Sequence, residues 1–231
     1  MEQFHFQREG SSRYGGKPRI TIATIVSDHS TIRDPLKQYQ NAQKVWNGIS
    51  FENIGLARIS TSLTTTSIRR EALSKNASLK ALYHKAVNYF LLQNINPDVI
   101  VLYLPGVGFK GKASGLSLAY DTNKPPYFIV FSDGAADYPW VVAHEMGHIL
   151  YYSNIFGDKK DPDPYLLVNS GGEPVRNAEG NLQYDIAHNN NKNNIMYPRA
   201  SKSSKAPFVT SEQMDKVRNS YLLDKRKKYT G

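Results

Sequence analysis

One short run in this 231-residue chain has residue types and spacing suited to catalysis: His144, Glu145, Met146, Gly147 and His148, the pattern HExxH. On a helix, residues four apart share a face, so both imidazoles can reach one metal ion. Glu145, one step round, then lies beside the water that such an ion activates. This is what metal-assisted hydrolysis needs: a Lewis acid, a carboxylate as general base and no covalent intermediate. The chain has no cysteine, which removes disulfides, thiolate nucleophiles and cysteine-type zinc sites and leaves His, Asp and Glu as strong ligands. Two histidines do not complete a catalytic zinc site, which takes three protein ligands and keeps one position open. The other histidines are His5, His29, His84 and His188, and the acids downstream are Asp158, Asp161, Asp163, Glu173, Glu179 and Asp185. Spacing alone leaves the third ligand open among them.

The elements around this run must position it. Arg19 to Ser27 is β-branched at nearly every position, which predicts a strand covered on both faces. Asp34 offers an N-cap with Pro35 at the first helical position, and Leu36, Tyr39, Ala42, Trp46 and Ile49 recur at helical spacing. Gly55 to Ser60 predicts a short strand, followed by a Ser/Thr-rich loop to Ser67. Ser78 is expected to cap a second helix with Leu79, Leu82, Tyr83, Ala86, Val87 and Phe90 inward, and Asp98 to Gly106 predicts a second buried strand. Strands alternating with helices imply a parallel sheet with helices on its faces. Gly115 to Tyr120 alternates apolar and polar residues as a half-exposed edge strand does, and Tyr127 to Ser132 returns as a buried one. Tyr138 to Tyr152 is the helix that carries HExxH, with Tyr151 and Tyr152 candidates to line a cleft beside it. Ser153 to Ala187, rich in Asn, Gly, Pro and Asp, predicts a long irregular excursion. A capping box at Thr210 and Gln213 opens a last helix with Met214, Val217, Tyr221 and Leu222 inward. The expected organisation is one domain over 1–231, with an N-terminal extension (1–18), an inserted loop (153–187) and a basic tail (224–231).

The segment His188 to Pro198, HNNNKNNIMYP, is similar to the end of the zinc site in metzincins, especially matrixins. There a third His is followed eight positions later by a Met and then Tyr-Pro, and here Met196 stands eight after His188. The order of elements from Arg19 to Leu223 resembles that family too. The resemblance implies an α/β fold with a twisted mixed sheet, an antiparallel edge strand, an active-site helix and a Met-turn. It implies a zinc endopeptidase in which His144, His148 and His188 hold one zinc ion, Glu145 is the general base, and Met196 and Tyr197 form the Met-turn. Gly115, Leu116, Ser117, Leu118, Ala119 and Tyr120 match the edge strand that pairs main chain to main chain with a peptide substrate.

The chain departs from the family motif HExxHxxGxxH, since Tyr151 and Asn154 stand where the Gly and the third His would be. The helix is therefore expected to run on toward Gly157 and the chain to detour before returning at Asp185 to deliver His188. Glu173 is the leading alternative ligand, but Gly171, Gly172 and Pro174 around it push the backbone away from helix. Two rival functions are a zinc amidase acting on cell-wall peptide or a small acyl substrate, and a non-catalytic basic binding module. The edge strand speaks against the first and the intact Glu145 against the second.

Composition bounds the partners. Hydrophobic residues are 40% and charged residues 21% of the chain, which excludes collagen, coiled coil and wholesale disorder. The net charge is +9, concentrated after Arg199, where Lys225 to Lys228 reads as a solvated tail. No nucleic-acid-binding motif accompanies it, so no nucleic acid partner is expected, and no apolar window is long enough to span a membrane. The start of the chain shows no apolar signal segment. With the basic tail, this resembles bacterial metallopeptidase toxin or effector domains and implies delivery outside the producing cell.

Overall fold

The structure is a computed structural model that describes residues 4–7, 18–32, 34–69, 75–109, 115–118, 125–153, 159–199 and 201–223. At its centre is a six-stranded mixed sheet made of β1 (Phe4–Gln7), β2 (Arg19–Ser27), β3 (Ser50–Ile59), β4 (Val99–Leu104), β5 (Gly115–Leu118) and β6 (Tyr127–Ser132). Their order across the sheet is β1-β3-β2-β4-β6-β5. The four inner strands run parallel, and β1 and β5 close the two edges antiparallel. The fold is thus α/β, with a mixed twisted sheet and an antiparallel edge strand.

Alternation along β4 shows why both faces are covered. Val99, Val101 and Tyr103 pack on one side against α1 (Pro35–Val45) and α3 (Val141–Tyr152), while Ile100, Leu102 and Leu104 pack on the other against α2 (Ala77–Leu92). Every residue of β4 and β6 is buried, as parallel strands flanked by crossover helices must be. Asp34 caps α1 by accepting from the Lys37 N–H at 3.2 Å, with Pro35 in the first turn. The last helix, α4 (Ser211–Arg218), opens with the reciprocal capping box of Thr210 and Gln213.

Several elements differ from the sequence expectation. The third strand begins at Ser50, five residues before Gly55, because β2 offers it a parallel ladder from Arg19 to Ser27, with a register shift at Ile54 between the Ile22 and Ala23 pairings. Its polar entry is partly met by β2, since Glu52 takes Arg19 at 2.9 Å and Asn53 takes the Thr24 hydroxyl at 2.6 Å. Asn76, rather than Ser78, caps α2, its side-chain oxygen accepting from the Leu79 N–H at 2.9 Å. The helix bearing HExxH begins at Val141, not Tyr138, because Pro139 disfavours helical backbone at the residue before it.

That helix also stops early. α3 ends at Tyr152 rather than running toward Gly157; Ser153 turns its hydroxyl back onto the Ile149 carbonyl at 2.8 Å and meets Ser220 at 2.5 Å. Residues 154–158 lie outside the described residues. The excursion after them is not irregular. β7 (Pro164–Leu166) pairs antiparallel with β8 (Tyr184–Asn189), and bridges Val168–Pro174 and Arg176–Leu182 continue the pairing as a small meander. Its Gly and Asn residues serve the turns, with Gly172 and Gly180 at positive φ of 86° and 83°. Phe4–Gln7, within the expected N-terminal extension, adds a strand to the sheet, and residues 224–231 lie outside the described ones. No helix among the described residues is long and apolar enough to cross a membrane.

Candidate metal centre

The helix α3 is buried all round, from Val141 through Tyr151. Such a helix needs neighbours on every side, and it has them: Trp46 at the end of α1 donates its indole N–H to the Ala143 carbonyl at 2.7 Å. Gly147 is required where it stands, because a Cβ there would collide with the Met196 sulfur and come within 2.8 Å of the Trp46 ring. The missing side chain lets Met196, fully buried, pack directly on the helix at Gly147, the residue before His148.

Three imidazoles meet beside this contact. His144, His148 and His188 are each buried, and their ligand-capable atoms all lie within 4.8 Å of one another. The rings of His144 and His188 are nearly parallel, with centroids 5.3 Å apart, and His148 stands edge-on to both at 4.8 Å. Their hydrogen bonds set the tautomers. The Ile195 carbonyl accepts from His144 Nδ1 at 2.7 Å, and an Asp185 carboxylate oxygen faces His188 Nδ1 at 2.7 Å. Both acceptors require the proton on Nδ1 and so turn the Nε2 lone pair inward, the orientation that carbonyls and carboxylates impose on metal-binding imidazoles. His144 Nε2 and His148 Nε2 are 3.2 Å apart, a convergence of ring nitrogens that a cation relieves. By the chemistry of its donors, the set fits a borderline-soft divalent ion such as zinc.

Glu145 is 6% exposed and lies under the edge strand. At Gly115, an added Cβ would fall 3.3 Å from Glu145 Cγ and 2.5 Å from the Phe131 ring, so glycine allows β5 to descend onto α3. Tyr152 stacks on His148 with centroids 6.1 Å apart. Burial pushes its phenol up, and the Glu145 and Asp185 carboxylates push it further. Tyr151, its neighbour, is buried, with its hydroxyl on the buried Asp161. Gly115, Leu116, Ser117 and Leu118 form the edge strand, while Ala119 and Tyr120 lie outside the described residues. Tyr197 packs edge-on against Tyr165 of β7, 5.6 Å between centroids. Glu173 is exposed at the turn it forms with Asn169, outside the imidazole cluster. His29 and His84 are exposed on the surface.

Sequence reasoning missed what holds His188 in place. Asp161, 3% exposed, accepts from Tyr151 Oη at 3.1 Å, from Asn189 Nδ2 at 2.6 Å and from Gln213 Nε2 at 2.7 Å. Gln213 also exchanges hydrogen bonds with Asn194 at 2.8 and 2.9 Å, and the Asn194 side chain accepts from the Met196 N–H at 2.8 Å. One buried carboxylate thereby ties the end of α3, the strand of His188, the Met196 turn and α4 together. Asp161 stood among the sequence-level ligand candidates; its carboxylate is occupied by these donors instead. No local pattern marks it, because its partners are 10, 28 and 52 positions away.

No protein-family model matches the chain, and no curated protein matches it in sequence. Among solved structures, the crystal structure of metalloproteinase-II from Bacteroides fragilis is similar in fold. Its TM-score is 0.55 at 14% identity, over 87% of this chain and 52% of that one. The likeness is one of fold, and this chain spans about half the length of that protein.

Proposed function

We propose that this protein is a zinc-dependent endopeptidase of metzincin type, its metal held by His144, His148 and His188 and its general base Glu145. The observation that carries the reading is the convergence of three buried imidazoles, two of them with Nδ1 engaged, around one point on a helix that also presents a buried carboxylate. A zinc ion bound there supplies a Lewis acid that polarises the scissile carbonyl and acidifies water. Glu145 takes the proton of the attacking water and delivers it to the amine nitrogen as the C–N bond breaks. Met196 is the floor of the site, matching the Met-turn, with Tyr197 beside it. The open side of β5 receives substrate as an added antiparallel strand, which brings the peptide across Glu145. The whole chain is read as one metallopeptidase domain, with the meander of residues 164–189 as its inserted arm.

The test is Glu145→Gln, which removes the base and touches no ligand. Its expected outcome is a protein that folds and retains metal in elemental analysis while peptide hydrolysis falls by about a thousandfold or more. Full hydrolysis by the metal-loaded variant would refute the mechanism.

A further inference from the structure

A cavity of about 360 Å³ adjoins His144, within the size range of small-ligand pockets. Its outer wall is a tethered stretch of chain. After the Met196 turn, the backbone passes Trp140, whose indole N–H donates to the Ser203 carbonyl at 2.8 Å. It then returns to the turn's own entry, where the Ile195 N–H donates to the Phe208 carbonyl at 3.0 Å and the Phe208 N–H to Asn193 at 3.1 Å. Hydrogen bonds at Ser203 and at Phe208 fix this wall in place.

The lining divides into two chemistries. Trp140 and Ile195, 7% and 5% exposed, form an apolar part with Pro207 and Phe208. Lys192, Arg199 and Lys205 form the polar part with Asn193, Asn194, Ser201 and Ser203, and among the described residues no Asp or Glu lines the cavity. Lys202 of the same stretch is turned to Asp137 at 3.0 Å instead. The first turn of α3 begins at the cavity too, with Trp140 at its N-cap and no side-chain cap.

We propose that this cavity selects an acidic residue of the substrate beside the scissile bond, with Glu preferred over Asp. The inference rests on the peptidase reading, since His144 serves both the cluster and the cavity wall. A peptide crossing the cluster therefore places there the side chain next to the bond that breaks. The methylenes of Glu lie against Trp140 and Phe208, and its carboxylate reaches the cations. Exposed ion pairs are individually weak and screened by salt, but three around one carboxylate amount to about a tenfold preference for Glu over Gln at low ionic strength.

The experiment uses fluorescein-labelled peptides identical except for Glu, Gln, Asp or Lys at one internal position. Binding to zinc-loaded Glu145→Gln protein is read by anisotropy, and cuts by the unsubstituted protein are mapped by mass spectrometry. Glu should bind about tenfold tighter than Gln, the ratio should shrink at high salt, and cuts should fall beside Glu. The double reversal Arg199→Glu with Lys205→Glu, at two exposed positions, should turn the preference toward Lys. Equal binding of the Glu and Gln peptides, or a Glu preference that survives the reversal, overturns the assignment. So does a preference that follows a free rather than an amidated peptide C-terminus. Charge-selective binding without cleavage by the zinc-loaded protein upholds the pocket and overturns the peptidase reading instead.

Discussion

In β4 and β6 the buried residues are apolar, Ser132 excepted, whereas in the stretch from 159 to 199 they include Asp161, His188, Asn189 and Asn194. The sheet and its helices are held by burial of apolar surface, about 1.5 to 3 kcal/mol for each large side chain removed from water. That force has no direction and tolerates small shifts of one element against another. The later stretch is held by hydrogen bonds from side chain to side chain, which fix atoms in angle as well as distance. The cluster of imidazoles takes His144 and His148 from the first region and His188 from the second. Two imidazoles therefore stand on a helix placed by packing, His144 being oriented further by the Ile195 carbonyl, and the third is placed by a polar network with Asp161 at its centre.

The sharpest break of this comparison is His188→Ala. Loss of one of three ligands should lower zinc affinity by more than about a hundredfold and abolish hydrolysis, while Glu173→Ala leaves both intact. Elemental analysis of the two purified variants decides it, and the opposite pattern would place the third ligand elsewhere.

Next in size is a matched pair, Asp161→Ala and Ile129→Ala. Both should cost about 3 kcal/mol in denaturant unfolding, the first by leaving buried donors unsatisfied and the second by opening a cavity. Only Asp161→Ala should also weaken zinc binding, by about ten- to a hundredfold, because only it loosens the strand of His188. Equal zinc affinity in the two folded variants would show that packing alone places the third imidazole.

A smaller effect is expected at the sheet edge. Along β5, successive N–H groups point alternately toward β6 and away from it, so Leu116→Pro and Ser117→Pro should behave differently. One should lower the thermal midpoint by removing a bond to β6; the other should leave it nearly unchanged and raise KM about tenfold. Unchanged KM in both would mean that substrate pairs elsewhere.

The smallest effect is at alkaline pH. Burial, then the Asp161 carboxylate, hold the Tyr151 phenol well above its usual value, and burial, then Tyr221, push Tyr127 up to about 12. An unfolded phenol titrates near about 10. The folded values are raised, so the stability these groups contribute is complete below about pH 10 and declines as pH rises beyond it. Absorbance at 295 nm should thus report their ionisation only together with the loss of far-UV circular dichroism. Tyr151→Phe should flatten the alkaline decline at a cost of about 1 kcal/mol at neutral pH; an unchanged slope would refute the coupling.

The features legible in the sequence were those whose cause is local. β2 from Arg19 to Ser27, the Asp34 cap, the HExxH face and the capping box at Thr210 depend on residues within one or two turns of each other, so their pattern can be read without the fold. β3 was half hidden, because Glu52 and Asn53 look like loop residues until β2 provides Arg19 and Thr24 to meet them. The meander of residues 164–189 was hidden by its turn residues, which dominate the composition while its strands are only a few residues long. Asp161 illustrates the limit: an aspartate in a polar stretch carries no mark of burial, and its partners Tyr151, Asn189 and Gln213 come from three separate elements. Sequence alone thus determined the types of donor and the helix that presents two of them, since periodicity is a property of neighbouring residues. Only the tertiary structure decided that His188 meets them and that Lys192, Arg199 and Lys205 line one cavity, because those encounters depend on where distant segments return.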